Sequence, residues 1–199
     1  METIIFENTL EIRKNLKELQ DKLKVKISLQ GRKVTLEGEP VREYEANIIL
    51  GAINFGFSAK KALVLLEPEM IFKTLNIKDS TKRKKLEDVR GRIIGKEGQV
   101  KRTIEDVSDC LTELRGNTIG IIGSADNINN VITALKNLIR GSKQANVYRY
   151  LEEMNSYRKD MDDDLGLKTP GELTKFEKKK LEAEKRMKAK EEKEARKEE

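Results

Sequence analysis

The sequence predicts a mixed α/β fold built from two similar units and followed by a charged tail. From about residue 70 onward, apolar periodicity and turn residues give the order strand, helix, glycine loop, helix, strand, strand, helix. The residues before this stretch repeat its pattern at an offset of 85, and almost every residue from 172 to 199 is Lys, Glu, Arg or Ala. We therefore expect domains at residues 1–68 and 69–158 and a solvated, helical or disordered tail at residues 159–199.

The first unit is predicted to contain a strand, a helix, a hairpin and two further helices. Apolar residues at helical spacing, including Ile12, Leu16 and Leu19, predict the first helix. Pro40 is tolerated in the first turn of the next helix, and Gly56 is expected to end it. The predicted elements are a strand at Thr3–Phe6, a helix at Leu10–Leu23, strands at Val25–Leu29 and Val34–Leu36, and helices from Pro40 to Asn54 and from Ser58 to Leu66.

The second unit is predicted from the same kinds of pattern. A strand is expected at Met70–Ile77, and a helix just after Gly98 has Val100, Ile104, Val107 and Leu111 on one face. Ser124 is a suitable N-cap for the helix that follows the second hairpin. The remaining predicted elements are strands at Cys110–Leu114 and Thr118–Ile122, a helix with a buried stripe from Ile128 to Ile139, and a helix through Leu151 whose tyrosines, Tyr148 and Tyr150, are expected to pack rather than to stack on a base.

Composition excludes several classes of function. The chain has one cysteine and no histidine, so an internal disulfide, a histidine metal site and an imidazole base are excluded, and we expect neither an enzyme nor a cofactor. No apolar run approaches the roughly 18 residues of a membrane span, and Met1–Phe6 does not resemble a secretory signal, so a cytoplasmic protein without membrane contact is expected. The net charge is +6, and residues 78–102 alone hold ten Lys or Arg against four Asp or Glu. Such clustering indicates a phosphate-binding surface, with a solvated helix face as the alternative.

The basic cluster surrounds a glycine loop, Gly91-Arg92-Ile93-Ile94-Gly95-Lys96-Glu97-Gly98. Glycines let a phosphodiester approach the main chain, and N–H groups at the start of the following helix can donate to phosphate oxygens. A nucleotide-binding P-loop is excluded, because Gly91 and Gly95 enclose three residues rather than four and Lys96 is followed by Glu97. The loop therefore predicts contact with a nucleic-acid backbone.

The loop and its flanks resemble the KH domain, whose Gly-x-x-Gly loop clamps single-stranded nucleic acid. The order of elements is that of the eukaryotic-type (type I) KH fold, so the resemblance implies two tandem KH domains, each a three-stranded antiparallel sheet with helices on one face. Within the KH proteins, the chain is similar to archaeal members of the partner-of-Nob family over about residues 3 to 157. That similarity rests on Val89–Gly98, Ile121-Ile122-Gly123, Arg140-Gly141-Ser142 and Val147–Leu151.

The resemblance implies a role in small ribosomal subunit biogenesis through binding of single-stranded RNA. It implies contact with the 3′ region of 16S rRNA near its maturation site, and as partners a Nob-type endonuclease and a translation initiation factor subunit. The alternative is a ribosome-assembly or translation adaptor whose main contacts are to proteins. The residues expected to bind RNA lie in the glycine loop, in its two flanking helices, in the strand that follows and around the last two predicted helices. They are Arg90, Arg92, Ile93, Ile94, Gly95, Lys96, Glu97, Gly98, Val100, Lys101, Arg102, Ile104, Leu111, Thr112, Leu114, Arg140, Lys143 and Arg149.

The first unit is expected to differ from the second at this loop. In the register that aligns Gly31, Gly38 and Gly56 with Gly116, Gly123 and Gly141, Leu10-Glu11-Ile12-Arg13 falls on Gly95–Gly98. The first unit therefore lacks the loop glycines and is predicted to be a degenerate KH-like scaffold or protein-contact surface, with a weaker ancillary RNA surface as the alternative.

Two further patterns are rejected on their spacing. Asp160, Asp162 and Asp164 alternate as in a calcium loop, but Leu165 stands where that loop requires glycine, so no metal site is predicted. An RNA-recognition motif would need aromatic residues on its central strands, and none occurs between Lys73 and Val147. An aliphatic groove formed by Ile93, Ile94, Val100 or Ile104 is therefore expected instead of an aromatic platform.

Overall fold

The structure of the protein is a computed structural model that describes the backbone of residues 2–7 and 9–164 and the side chains of residues 4–7 and 9–157. Backbone contacts divide the chain into two compact units, Met1–Leu151 and Glu152–Glu199. The first unit contains both predicted repeats, called below the N-terminal half (residues 2–68) and the C-terminal half (residues 69–151). From residue 165 onward, the predicted tail lies outside the described residues.

In the N-terminal half, two short helices replace the first predicted helix. Asn15 leaves helical geometry at φ −112° and ψ 17°, and its side-chain amide donates to the carbonyl oxygen of Glu11 at 2.9 Å. A side chain that bonds to nearby backbone competes with the helical hydrogen bonds, so the predicted continuous helix at Leu10–Leu23 is wrong. The elements are β1 (Glu2–Ile5), α1 (Leu10–Lys14), α2 (Leu16–Leu23), β2 (Lys26–Gln30), β3 (Lys33–Glu37), α3 (Pro40–Phe55) and α4 (Ala59–Ala62), which continues into a 3-10 turn at Leu63–Leu66.

The C-terminal half has the predicted order of elements and one short extra helix. The helix that follows Gly98 ends earlier than its apolar spacing predicted, because Asp109 adopts the left-handed conformation at φ 52° and ψ 26°. Leu111 therefore starts a strand and does not extend the apolar face of that helix. The elements are β4 (Met70–Asn76), α5 (Ile77–Ser80), α6 (Leu86–Ile94), α7 (Gln99–Ser108), β5 (Leu111–Arg115), β6 (Thr118–Ser124), α8 (Ala125–Arg140) and α9 (Gln144–Asp164).

Each half contains a three-stranded antiparallel sheet with the same strand order, β1–β3–β2 and β4–β6–β5. Two-residue turns close both hairpins, and each turn has a glycine with positive φ, Gly31 at 63° and Gly116 at 57°. Strand β5 and helix α8 begin 85 residues after β2 and α3. This offset fails earlier in the chain, because the connection from β4 to α7 contains α5 and α6, whereas only α1 separates β1 from α2.

The sheet of the C-terminal half is covered on both faces. One face packs on α6, α7 and α8 through buried residues that include Ile119 and Ile121. From the other face, Ile122 enters the core of the N-terminal half. The rings of Phe55, Phe57 and Phe72 lie there with centroids 5.8 to 6.1 Å apart. The core of the N-terminal half is therefore shared, because Ile122 and Phe72 of the C-terminal half contribute to it, while a second core lies on the helical face of the C-terminal sheet.

Close backbone approach and polar contacts also join the halves. A Cβ atom on Gly120 of β6 would lie 2.6 Å from a ring atom of Phe55, so only glycine fits at this position. At the end of β5, the guanidinium group of Arg115 donates to the carbonyl oxygen of Asn54 and to the carboxylate of Glu7. Strand β5 is thus attached to the N-terminal half directly, through the side chain of Arg115, and indirectly, through the contact of its neighbour β6 with Phe55.

The start of α3 is fixed by an acidic side chain. The carboxylate of Glu43 accepts the N–H of Gly38 at 2.9 Å, and this hydrogen bond holds the pKa of Glu43 below its usual value. Because the folded pKa is lowered, the contribution of this contact to stability is present at neutral pH and is lost as the pH falls through the folded pKa.

Candidate nucleic-acid interface

The Gly95–Gly98 loop connects α6 to α7 through positive backbone φ angles. Gly95 has φ 74° and ψ 178°, Glu97 has φ 53°, and Gly98 has φ 76°. The N–H of Gly95 donates to the carbonyl oxygen of Gly91 at 2.8 Å and closes the end of α6. No side chain among the described residues caps the start of α7, and the N–H of Gln99, the first residue of this helix, donates to the carbonyl oxygen of Lys96.

The two loop glycines have different surroundings. A Cβ atom on Gly95 would lie 2.3 Å from Cγ2 of Val100 and 2.8 Å from its backbone nitrogen, whereas a Cβ atom on Gly98 would meet nothing within 4 Å. Gly95 is therefore required by packing inside the protein. Gly98 leaves open space in front of the main chain, which is where an external group can approach.

This difference predicts unequal effects of alanine on stability. Gly95→Ala should lower the free energy of unfolding by more than about 3 kcal/mol, because the clash with Val100 adds to the roughly 1 to 3 kcal/mol of the strained φ and ψ angles. Gly98→Ala should cost only about 1 to 2 kcal/mol, the penalty of a left-handed residue. Urea denaturation followed by circular dichroism measures both, and equal losses would contradict the different surroundings of the two glycines.

The charged residues around the loop are divided between exposed and hydrogen-bonded positions. Lys96, Glu97 and Arg102 are exposed. Arg92, near the end of α6, is half-buried, and its guanidinium group donates to the carbonyl oxygen of Ser142 at 2.6 Å. The loop is therefore connected to the turn between α8 and α9 through a positively charged side chain.

Two acidic side chains bridge α7 and the edge strand β5. Lys101 of α7 forms an ion pair with Glu113 of β5 at 2.9 Å. Glu105 of α7 accepts the backbone N–H of Thr112 at 2.7 Å and its hydroxyl group at 3.1 Å. Lys101, predicted as a phosphate contact, thus already has a carboxylate partner. The sequence contained no signal for these bridges, because they depend on how the helix and the strand face each other.

The predicted aliphatic groove is mostly core. Ile93, Val100 and Ile104 are at most 4% exposed and pack inside the C-terminal half, whereas Ile94 is 37% exposed at the end of α6. On β5, Thr112 is buried, and Leu111 packs against the core of the N-terminal half. Ile94 is therefore the aliphatic side chain of this group that reaches the surface. Leu114, the remaining predicted strand residue, is half-buried against the core of the C-terminal half.

The other predicted contact residues lie at two separate places. Arg90 faces the β5–β6 turn, where it donates to the side chain of Asn117 at 2.9 Å. Arg140 at the end of α8, Lys143 in the turn that follows and Arg149 on α9 are exposed. The structure therefore brings Arg92, Lys96 and the loop glycines together with the end of α8, and it directs Arg90 to the hairpin.

Tyr148 on α9 packs against the core of the C-terminal half, as does Tyr150. Burial raises the pKa of the Tyr148 phenol above its ordinary value, and a hydrogen bond to Thr103 of α7 partly offsets this effect. These contacts agree with packing as the role of the tyrosines.

A basic pocket of about 650 Å³ was missed by the sequence analysis. It is formed by residues 78–83 and by Arg140. The run of lysines and arginines after Ile77 was counted as part of the charge cluster, but nothing in the sequence brings it next to Arg140, which follows much later in the chain.

Other candidate sites find no support in the described residues. The side chains of residues 4–7 and 9–157 contain no group of three or more acidic or cysteine residues suited to a metal ion. The aspartates of the rejected calcium pattern lie beyond these side chains. Cys110 is buried against Gly123, where an added Cβ atom would lie 2.3 Å from its sulfur, so the thiol acts as a packed apolar group. In the part of the chain that is described, no helix is both long and apolar enough to cross a membrane.

Comparisons with known proteins agree with this geometry. Residues 71–156 match the family model for the second KH domain of PNO1, which is described as a eukaryotic type KH-domain (KH-domain type I). The "RNA-binding protein pno1" of Drosophila pseudoobscura pseudoobscura is 35% identical over 143 residues, which cover 68% of this chain and 60% of that protein. The chain thus spans less than two thirds of the length of this curated relative.

Two solved structures from Pyrococcus horikoshii are also similar. Dim2p aligns with a TM-score of 0.68 and 31% identity, over 76% of this chain and 98% of that one. A chain in the a/eIF2alpha–aDim2p–rRNA complex aligns with a TM-score of 0.69 and 30% identity, over 78% of this chain and 94% of that one. The sheet order, the glycine loop and these similarities together lead to one conclusion: the chain belongs to the partner-of-Nob family of KH-domain proteins, which includes Dim2p.

Proposed function

We propose that this protein binds single-stranded RNA through its C-terminal half and acts in small ribosomal subunit biogenesis, at the 3′ region of 16S rRNA near its maturation site. The observation that carries the proposal is the open main chain at Gly98, which lies between the exposed Lys96 and the uncapped N-terminus of α7. Backbone N–H groups at a helix start bind phosphate oxygens, and such a loop is the phosphate clamp of KH domains. The rRNA complex of the Pyrococcus horikoshii relative supports the same ligand class.

The two halves are proposed to be tandem type I KH units of unequal function, with residues 1–68 as the degenerate unit and 69–158 as the RNA-binding unit. The identical strand order and the shared 85-residue offset of β5 and α8 support this division. In the N-terminal half, α1 and α2 meet at the single residue Asn15, so no loop projects between them. This half therefore has no phosphate clamp and is available for other contacts.

Base recognition is proposed at the outer edge of β5. This strand is the last in the order β4–β6–β5, so its outer N–H and C=O groups have no strand partner. Thr112 and Leu114 share this edge, because alternate residues of a strand point their backbone groups the same way. Glu105 already occupies the N–H of Thr112, which leaves the backbone of Leu114 as the available pair of groups for a Watson-Crick base edge. Phosphates then lie on the loop side, and bases lie toward β5.

Competition binding of the full chain tests this proposal. The 3′-terminal segment of 16S rRNA should compete better than a scrambled single strand of equal length, and a duplex should compete poorly. Log affinity should fall with log salt concentration by roughly 0.7 per neutralised phosphate, because counterions are released from a single strand. A scrambled strand or a duplex that competes equally well would remove the ribosomal assignment.

A second candidate function, that of an adaptor for proteins, is favoured by one surface of the N-terminal half. Val41, Tyr44 and Ile48 follow one another along one side of α3 and are 62%, 66% and 37% exposed. The residues 85 positions later in α8 are Asp126, Asn129 and Thr133, so α8 lacks the apolar outer stripe of α3. Exposed apolar stripes on a helix indicate protein contact.

The proposed occupant of this stripe is a translation initiation factor alpha subunit, since such a subunit accompanies the relative in its rRNA complex. A Nob-type endonuclease is the further partner implied by the family. Tyr44→Asp should weaken binding of the initiation factor subunit at least about tenfold, which corresponds to about 1.4 kcal/mol, and should leave RNA affinity unchanged. The matched change Asn129→Asp on α8 is the control. If both variants bind the subunit as the natural sequence does, the stripe is not its docking surface.

A further inference from the structure

The basic pocket beside the end of α8 is separate from the Gly95–Gly98 loop. Its lining, residues 78–83 and Arg140, contains four cations, Lys78, Lys82, Arg83 and Arg140, and one carboxylate, Asp79. None of the four cations forms an ion pair with a side chain that the structure describes. The pocket therefore has a positive excess that its one carboxylate, Asp79, does not neutralise.

The backbone that forms the pocket is held by local hydrogen bonds. The N–H of Lys78 donates to the side chain of Asn76 at 3.0 Å, and the N–H of Arg83 donates to the hydroxyl group of Thr81 at 3.2 Å. Lys78 thus lies in α5, and Lys82 and Arg83 follow in the connection that begins at Thr81, which is extended at φ −142° and ψ 145°.

Arg92 connects the pocket to the glycine loop. A Cβ atom on Gly141 would lie 3.1 Å from Nη2 of Arg83 and 3.8 Å from Nη1 of Arg92, so two guanidinium groups approach the same backbone position. Arg92 belongs to the last turn of α6, directly before the loop. Two guanidinium groups, those of Arg92 and Arg83, therefore lie between the end of α6 and the pocket.

Neutralisation of a helix end explains only part of this cluster. The carbonyl end of α8 has a partial negative charge, which one or two nearby cations are enough to neutralise. Arg140 lies in the last turn of that helix, and Arg92 and Arg83 lie beside Gly141 immediately after it. Lys78 and Lys82 add two more positive charges that the helix end does not require.

We propose that this pocket is a second phosphate site, which binds an internal phosphodiester of the RNA strand that leaves the glycine loop. This inference rests on the proposed RNA-binding function and extends it. A KH loop clamps about four nucleotides. A longer single strand would continue past Arg92 and place a backbone phosphate against Lys82, Arg83 and Arg140. The pocket would thereby lengthen the bound segment without reading its sequence, as phosphate contacts do.

The test compares short and long single strands on the full-length chain. Strands of about five nucleotides reach only the loop, whereas strands of about twelve also reach the pocket, given a loop footprint of about four. Lys82→Gln with Arg83→Gln should weaken binding of the long strand about tenfold and reduce its salt slope by about 0.7, the value for one phosphate contact. Binding of the short strand should not change. Lys84→Gln with Lys85→Gln removes the same charge from exposed neighbours outside the pocket and should affect neither strand.

Each result has a defined meaning. If the pocket variant weakens both strands equally, or the control variant has the same effect, the cluster acts only through general charge and the second site is wrong. If the long strand binds more tightly than the short one only when it carries a terminal phosphate, the pocket binds a terminal and not an internal phosphate, and the proposal is wrong. If the short strand fails to bind the natural sequence, the proposed function itself fails. Should Arg83→Gln lower stability in a thermal melt, Lys78→Gln with Lys82→Gln replaces it under the same expectations.

Discussion

Changing Lys96→Asp together with Glu97→Asp is expected to abolish RNA binding while the protein stays folded. The double variant turns a loop with no net charge into one with two negative charges, at the position where a phosphate would approach the main chain of Gly98. We expect at least a tenfold loss of affinity, about 1.4 kcal/mol or more, in filter binding with a single strand. Both side chains are exposed, and aspartate tolerates the left-handed backbone of position 97, so the free energy of unfolding should stay within about 0.5 kcal/mol.

A matched variant separates the loop from general charge repulsion. Lys60→Asp with Glu67→Asp makes the same change in net charge at two exposed positions of the N-terminal half. RNA affinity should be nearly unchanged in this control. A folded loop variant that binds RNA normally would move the binding surface away from Gly95–Gly98.

Truncation of Phe57 is expected to destabilise both halves together. Its ring is 1% exposed and lies 5.9 Å from that of Phe72 in the shared core. Phe57→Ala should lower the free energy of unfolding by about 3 to 5 kcal/mol, the range for a buried phenylalanine. Because the core belongs to both sheets, urea denaturation followed by circular dichroism should remain a single transition with a lower midpoint.

Tyr44→Ala is the control for this loss, since it removes an aromatic ring of the same half that is 66% exposed. Its effect should stay within about 0.5 kcal/mol. Two separate transitions in Phe57→Ala, one at the original midpoint, would mean that the halves fold independently despite their contact.

The sequence predicted the parts of the fold that depend on local patterns. Strand β5 and helix α8 match the predicted hairpin and the helix after it, because turn glycines and 3.6-residue periodicity are local signals. The break at Asn15 was missed because a side-chain bond to the backbone of Glu11 has no periodic signature. Leu111 fitted the helical spacing, but the left-handed Asp109 ended the helix before it. Such single-residue conformations decide element boundaries and are poorly visible in apolar patterns.

The candidate site was predictable in its loop and not in its surroundings. Glycine spacing indicated the backbone geometry at Gly95 and Gly98, which both have positive φ. The same apolar spacing that placed Ile93 and Ile104 beside the loop also buries them, so the expected aliphatic groove is largely core. The pairing of Lys101 with Glu113 and the approach of Arg83 to Gly141 depend on tertiary packing, and neither pair is close in sequence.

The attachment of β5 to the N-terminal half has a consequence for the entropy of RNA binding. Leu111 holds the strand from behind through the shared core, and Arg115 holds its end through Asn54 and Glu7. If β5 is the proposed recognition edge, these contacts reduce the conformational freedom that it loses when a ligand arrives, so more of the contact energy would appear as affinity. The half without a glycine loop would then strengthen RNA binding as a preorganising support, without touching a nucleotide.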